Sequence, residues 1–133
     1  MARMTTLSAA FFAAALLAAP AFANSTIKPL SPVGTWQLAT GESRFKVELC
    51  GDGTQLCAKL TWLRDDARTP DNLALLNKYV LRDARMALTN KWRGETQYQG
   101  EIVKGTITMV GPDTMTLDGC KGALCKVVQL KRL

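Results

Sequence analysis

Apolar and polar residues alternate along most of the chain from residue 33 onward, in short runs separated by Gly, Pro, Asp and Asn, which is the signature of half-buried β-strands. Val33–Leu38 reads as a first strand, and Ser43–Cys50 with Cys57–Leu63 as a hairpin. Ala84–Leu88, Gly94–Tyr98, Ile102–Val110, Thr114–Cys120 and Cys125–Arg132 read as further strands. Turn chemistry punctuates them: Ala39–Glu42 (ATGE) and Gly111-Pro112-Asp113, with Pro in its favoured turn position. Only residues 64–82 break the alternation. There Pro70 and Asp71 predict either a short helix over Asn72–Lys78, capped by Asp71, or an irregular loop. Many short strands with little helix point to a small antiparallel barrel or sandwich.

The two hairpins can be tested by register, because a correct pairing must sort apolar from polar side chains onto opposite faces. Placing Cys50 opposite Cys57 puts Phe45, Val47, Leu49, Ala58, Leu60 and Trp62 on one face. Lys46, Glu48, Lys59 and Thr61 fall on the other, with Glu48 paired to Lys59. Placing Cys120 opposite Cys125 puts Leu117 against Val128 and Met115 against Leu130 on an apolar side. Thr116 then meets Gln129 and Thr114 meets Lys131 on the polar side. In these registers Phe45, Val47, Leu60, Trp62, Met109 and Met115 are the candidates to line a ligand cavity, should the centre be hollow.

Ahead of the strands, Arg3, the apolar run Leu7–Ala19 and Ala21-Phe22-Ala23 form the three regions of a secretory signal peptide cleaved after Ala23. The apolar run is too short to span a bilayer, which takes about 20 residues. The expected organisation is a signal peptide over 1–23, an extended leader over 24–32 and a single domain over 33–133. The expected location is the periplasm or the exterior, and the chain does not read as an integral membrane protein.

Export changes the meaning of the four cysteines. The chain has no histidine, and Cys50-x6-Cys57 is too wide for a zinc knuckle. Neither pair has the C-x-x-C spacing of a thioredoxin-type centre. An even number of cysteines in an exported chain points to disulfides, and the registers favour the local pairing of Cys50 with Cys57 and Cys120 with Cys125. No metal or other cofactor is expected. The missing histidine also removes the commonest general base, so the chain reads as a non-enzyme with no catalytic residue. Asp65, Asp66 and Asp71 match no calcium loop and read as solvated loop acids. The balance of 17 Lys and Arg against 11 Asp and Glu gives a net charge of +6. The cations are scattered rather than blocked, and no nucleic-acid partner is expected.

Gly34-Thr35-Trp36 at the first strand and Arg132 at the last are similar to the lipocalins and other calycins, where such a pair implies a Trp capped by an Arg at one barrel end. These residues join several other motifs: Cys50-Gly51-Asp52, Leu56-Cys57, Leu60-Thr61-Trp62-Leu63, Lys91-Trp92-Arg93-Gly94, Gly111-Pro112-Asp113-Thr114-Met115 and Gly119-Cys120. With them the chain resembles the bacterial secreted proteins grouped as domain of unknown function 2147. The resemblance implies an all-β, small antiparallel up-and-down β-barrel of about eight strands, lipocalin-like or calycin-like, with at most one short helix. It supplies no catalytic residue. Two functions remain open at this level. One is binding of a small apolar ligand or envelope lipid inside the barrel. The other is interaction with the cell envelope through a basic surface around a filled core.

Overall fold

A computed structural model describes residues 18–21, 30–98 and 100–133. The expected signal peptide and most of the leader lie outside the described residues. Eight strands follow one another around a closed antiparallel barrel: β1 (Gly34–Leu38), β2 (Ser43–Cys50), β3 (Gln55–Leu63), β4 (Tyr79–Leu88), β5 (Lys91–Tyr98), β6 (Glu101–Gly111), β7 (Thr114–Lys121) and β8 (Leu124–Arg132). Closure comes from β1 pairing with β8, Trp36 opposite Arg132 and Leu38 opposite Leu130. A 3-10 turn at Asp65–Ala67 and one helix, α1 (Pro70–Leu75), fill the connection from β3 to β4. Every neighbour in sequence is a neighbour in the barrel, and closure leaves no strand edge open; the connections are short turns except for residues 64–78 between β3 and β4.

The β7–β8 register is the one expected, with Cys120 opposite Cys125 and Leu117 opposite Val128. The first hairpin differs by two residues. Cys50 faces Gln55, and Cys57 faces Glu48. The connection is four residues rather than six, because Gly51 and Gly53 take left-handed φ of 61° and 89°. Asp52 braces it, accepting from the Thr54 backbone at 3.0 Å and the Thr54 hydroxyl at 2.6 Å. The shift is even, so side-chain parity survives from Phe45 to Leu60 while the partners change, although Leu49, at the strand end, is 57% exposed. Lys59 stands opposite Lys46, and Glu48 instead accepts from the Tyr79 hydroxyl at 2.9 Å.

Trp62 departs from its expected face. A bulge lets Thr61 and Trp62 share the space opposite Arg44, and parity reverses past Leu60. Leu63 enters the interior at 3% exposure, whereas Trp62 stands outside at 36% under the Arg44 guanidinium.

The helix also starts earlier than expected. Thr69, not Asp71, is the N-cap, its hydroxyl accepting from the Asn72 backbone at 3.3 Å, with Pro70 in the first turn. It stops at Leu75 because the next residues pair with β3: Asn77 donates to the Leu60 carbonyl, and Leu60 donates to that of Lys78. β4 then begins at Tyr79, five residues before the expected strand at Ala84. Register breaks flank Leu81, and Asp83 has φ of 52°. Val80 and Leu81 are consequently both buried, which hides the strand from a period-two reading.

Both disulfides are local. Cys50–Cys57 joins a diagonal pair with Cα atoms 5.9 Å apart, and Cys120–Cys125 joins a directly opposed pair at 4.0 Å. Cys50–Cys57 closes the β2–β3 hairpin at one barrel end, and Cys120–Cys125 closes β7–β8 at the other. Replacing either pair by serine should lower unfolding free energy by about 2–2.5 kcal/mol through the loop entropy restored to the unfolded chain. Urea titration of the two double mutants checks this, and the losses should add because the sites lie at opposite ends.

Candidate functional site

The two barrel ends are built differently. At the end holding the start of β1 and the finish of β8, the interior is sealed. Trp36 is fully buried, and the Arg132 guanidinium lies 4.3 Å from its ring centroid. The Trp36 indole donates to the Pro32 carbonyl at 2.8 Å. Arg132 donates to the carbonyls of Val33 (2.8 Å), Ser31 (2.6 Å) and Pro112 (3.0 Å), and sits 3.4 Å from an Asp113 carboxylate oxygen. One side chain thus ties the segment before β1 to the β6–β7 turn. Gly34 makes this possible: a Cβ there would lie 2.6 Å from the Arg132 guanidinium. Leu30 joins the seal, donating its backbone N–H to Asn90 at 2.9 Å and packing on the core. Although expected to belong to an extended leader, Leu30–Pro32 is docked here.

Above the seal the core is packed, with Val47, Leu81, Trp92, Ile107, Met109 and Met115 all at 5% exposure or less. The opposite end is hollow. A cavity of about 340 Å³ opens there, within the range of roughly 300–1,000 Å³ typical of small-molecule pockets. One wall is Leu60, Leu63, Ala67 and Val80, backed by Leu75 of α1. The facing wall is Leu38, Leu117 and Val128. Phe45 bridges the two clusters at the floor, and beneath it lies a wholly apolar void of about 30 Å³ lined by Val47, Ala58, Ile107, Met115 and Leu130.

Polar groups are confined to a few positions. Glu42, Asn72, Gln97 and Lys126 stand at the mouth. Ser43 and Thr96 line the wall, at 5% and 6% exposure. Neither hydroxyl bonds to another described side chain, yet among the described residues no fully enclosed side-chain polar atom lacks a partner. Both residues line the cavity, where a hydroxyl that reaches the space can bond to whatever fills it. Room beside Thr96 depends on glycine. A Cβ at Gly105 would meet the Thr96 methyl at 2.7 Å, and one at Gly119 would meet it at 3.2 Å.

Arg64 braces the mouth. It grips both Asp66 carboxylate oxygens at 2.6 and 2.8 Å and donates to the Thr40 carbonyl at 3.0 Å, joining the β1–β2 turn to the 3-10 turn. This hydrogen-bonded pair holds the Asp66 carboxyl below its ordinary value. A carboxyl depressed in the folded state stabilises it above the unfolded pKa of about 3.9 and loses that contribution as pH falls through the folded value. Replacing Arg64 by Ala should speed hydrogen exchange over 65–76 at neutral pH with little change in global stability. The same acceleration should appear in the unmutated protein only below about pH 4.

The candidates from sequence separate cleanly. Phe45 and Leu60 line the cavity, Val47 and Met115 line the void beneath it, Met109 belongs to the packed core, and Trp62 is outside. The structure adds Leu38, Leu63, Val80, Thr96, Leu117, Gly119 and Val128. The Leu117–Val128 pair is visible in the second hairpin's register; Val80 and Leu63 are hidden by bulges. Among the described residues, no group of His, Cys, Asp and Glu could hold a metal ion, and no helix is long and apolar enough to cross a membrane.

Comparison with curated proteins and with solved structures found no match for this chain. Residues 34–132, the whole barrel from the first strand to Arg132, match the family described as "Uncharacterized protein conserved in bacteria (DUF2147)". The disulfide-stapled barrel, sealed at one end and hollow at the other, belongs to that family.

Proposed function

We propose that this is an exported, non-enzymatic binding protein of the cell envelope whose barrel, shaped like a lipocalin cup, takes a small apolar or amphipathic molecule. The observation that carries this reading is the cavity at one end of an otherwise packed barrel, apolar in its walls and polar only at its mouth and at the Ser43 and Thr96 hydroxyls. An apolar body would enter to Phe45, releasing water from Leu60, Val80, Leu117 and Val128. A polar head would stay at the mouth beside Glu42, Asn72, Gln97 and Lys126. Burial of apolar area would supply the affinity, at about 25 cal/mol per Å² before the costs of ordering the ligand.

The native tryptophans are poor reporters of this site: Trp36 and Trp92 are buried outside the cavity lining and Trp62 is outside the barrel. Phe45→Trp places an indole at the cavity floor. Decanoate added to that variant should change its emission saturably, and should leave the unmutated protein's emission almost unchanged. A linear, unsaturable response, or equal responses from both proteins, would count against the cup.

A further inference from the structure

The outer face of β8, β1, β2 and β3, with the start of β4, carries a second set of groups that the cup does not use. Its outward positions form two rows by register. One runs Lys131, Gln37, Arg44, Trp62, and the next runs Thr35, Lys46, Lys59, Tyr79. Arg44 and Lys59 are held in place rather than left on free stems. Arg44 donates through Nε to Gln37 at 2.9 Å, and its guanidinium lies 4.3 Å from the Trp62 centroid. It makes no ion pair with any described residue. Lys59 sits 4.9 Å from the Tyr79 centroid, and that ring is itself fixed by the hydrogen bond to Glu48. Lys59 also stands directly opposite Lys46, an arrangement of like charges that costs stability. Neither row holds a carboxylate; Glu48, in the next row beyond Lys46, lies 3.8 Å from it.

We infer that this face is a binding site for an acidic glycan, a chain of sugar rings bearing carboxylate or phosphate groups. The cations span four strands, or about 14 Å at the usual strand spacing, which suits a polymer with repeated charges better than a single small anion. A guanidinium already stacked and hydrogen-bonded loses little freedom on pairing with an anion and keeps its remaining N–H groups for it. Trp62 is capped on one side by Arg44 and still 36% exposed, so a ring face is free for the C–H face of a sugar. A membrane surface fits less well, because Trp62 is the sole large apolar side chain in the two rows besides Tyr79. The far side of the barrel is more evenly mixed: Arg82, Arg85, Arg93 and Lys104 stand in register with Glu95 and Asp118.

The test is affinity of the purified protein for polygalacturonate at low salt, against neutral dextran, phosphatidylglycerol vesicles and oligothymidylate. Polygalacturonate should bind best, and the double variant R44Q/K59Q should weaken it about tenfold or more. R82Q/R93Q, of equal net charge, should change it less than about twofold, and W62A should weaken it several-fold without removing a charge. Equal losses from both double variants would reduce the effect to net charge and overturn the site. So would no binding to polygalacturonate, or preference for the vesicles or the oligonucleotide. Decanoate binding by the Phe45→Trp reporter should be unchanged in R44Q/K59Q, which separates this face from the cup.

Discussion

Trp36→Ala should lower the unfolding free energy by about 3–5 kcal/mol, the range for truncating a large buried aromatic. Trp36 is at 0% exposure, and three independent links depend on it. Its ring supports the Arg132 guanidinium, its indole N–H satisfies the Pro32 carbonyl, and its body fills the sealed end beside Leu30. Removing it leaves a cavity and unseats the guanidinium that holds Ser31, Val33 and Pro112. At about 4–8 °C per kcal/mol for a domain near this size, the melting temperature should fall by tens of degrees. Arg132→Ala should cost less, because it removes the clasp and leaves the packed ring. Urea denaturation of both variants checks the order. A loss in Trp36→Ala no larger than that in Arg132→Ala would mean that the base is not organised around the indole.

The second large effect concerns binding. Val128 lines both the cavity and the small void under it, and it is only half-buried. Val128→Trp projects an indole into space that the fold leaves empty, so folding should survive while the volume for a ligand is largely consumed. Decanoate affinity, read by displacement of a fluorescent anilinonaphthalene probe, should fall at least tenfold, which is about 1.4 kcal/mol. Thermal stability should hold or rise, because added apolar contacts replace a cavity. Val110→Trp, on an exposed strand position outside the cup, should leave affinity unchanged and serves as the control. Equal affinity in both variants would place the ligand elsewhere.

Much of this architecture is legible in the sequence, and the reasons for the failures are physical. The β7–β8 pairing is recoverable because that ladder runs without a break, so a period of two carries from Thr114 to Lys121. The Trp36–Arg132 contact is implied by the likeness of Gly34-Thr35-Trp36 and Arg132 to the calycin pattern, and the pairing of β1 with β8 brings the two residues together. The first hairpin slips by two because alternation fixes the parity of a register and not its phase; the glycines of the tight turn decide the phase. Trp62 falls on the other face, and Val80 and Leu63 escape notice, because single inserted residues reverse parity without leaving a mark in a hydrophobicity pattern. The cavity itself lies further from reach. Strand faces with Phe45 and Leu60 look alike whether the interior is filled or hollow. Gly105 and Gly119 leave room for Thr96 in the cavity wall, but a strand glycine can equally mark a bulge or a bend.

The most direct test is an amide and indole NMR titration of the purified protein with decanoate. A hollow, ligand-binding barrel predicts saturable shifts at the Thr96, Gly119, Lys126 and Asn72 amides. The Trp36 indole, bonded to Pro32 at the sealed end, should stay fixed. Shifts that never saturate, or that move the Trp36 indole and leave the mouth residues still, would contradict it.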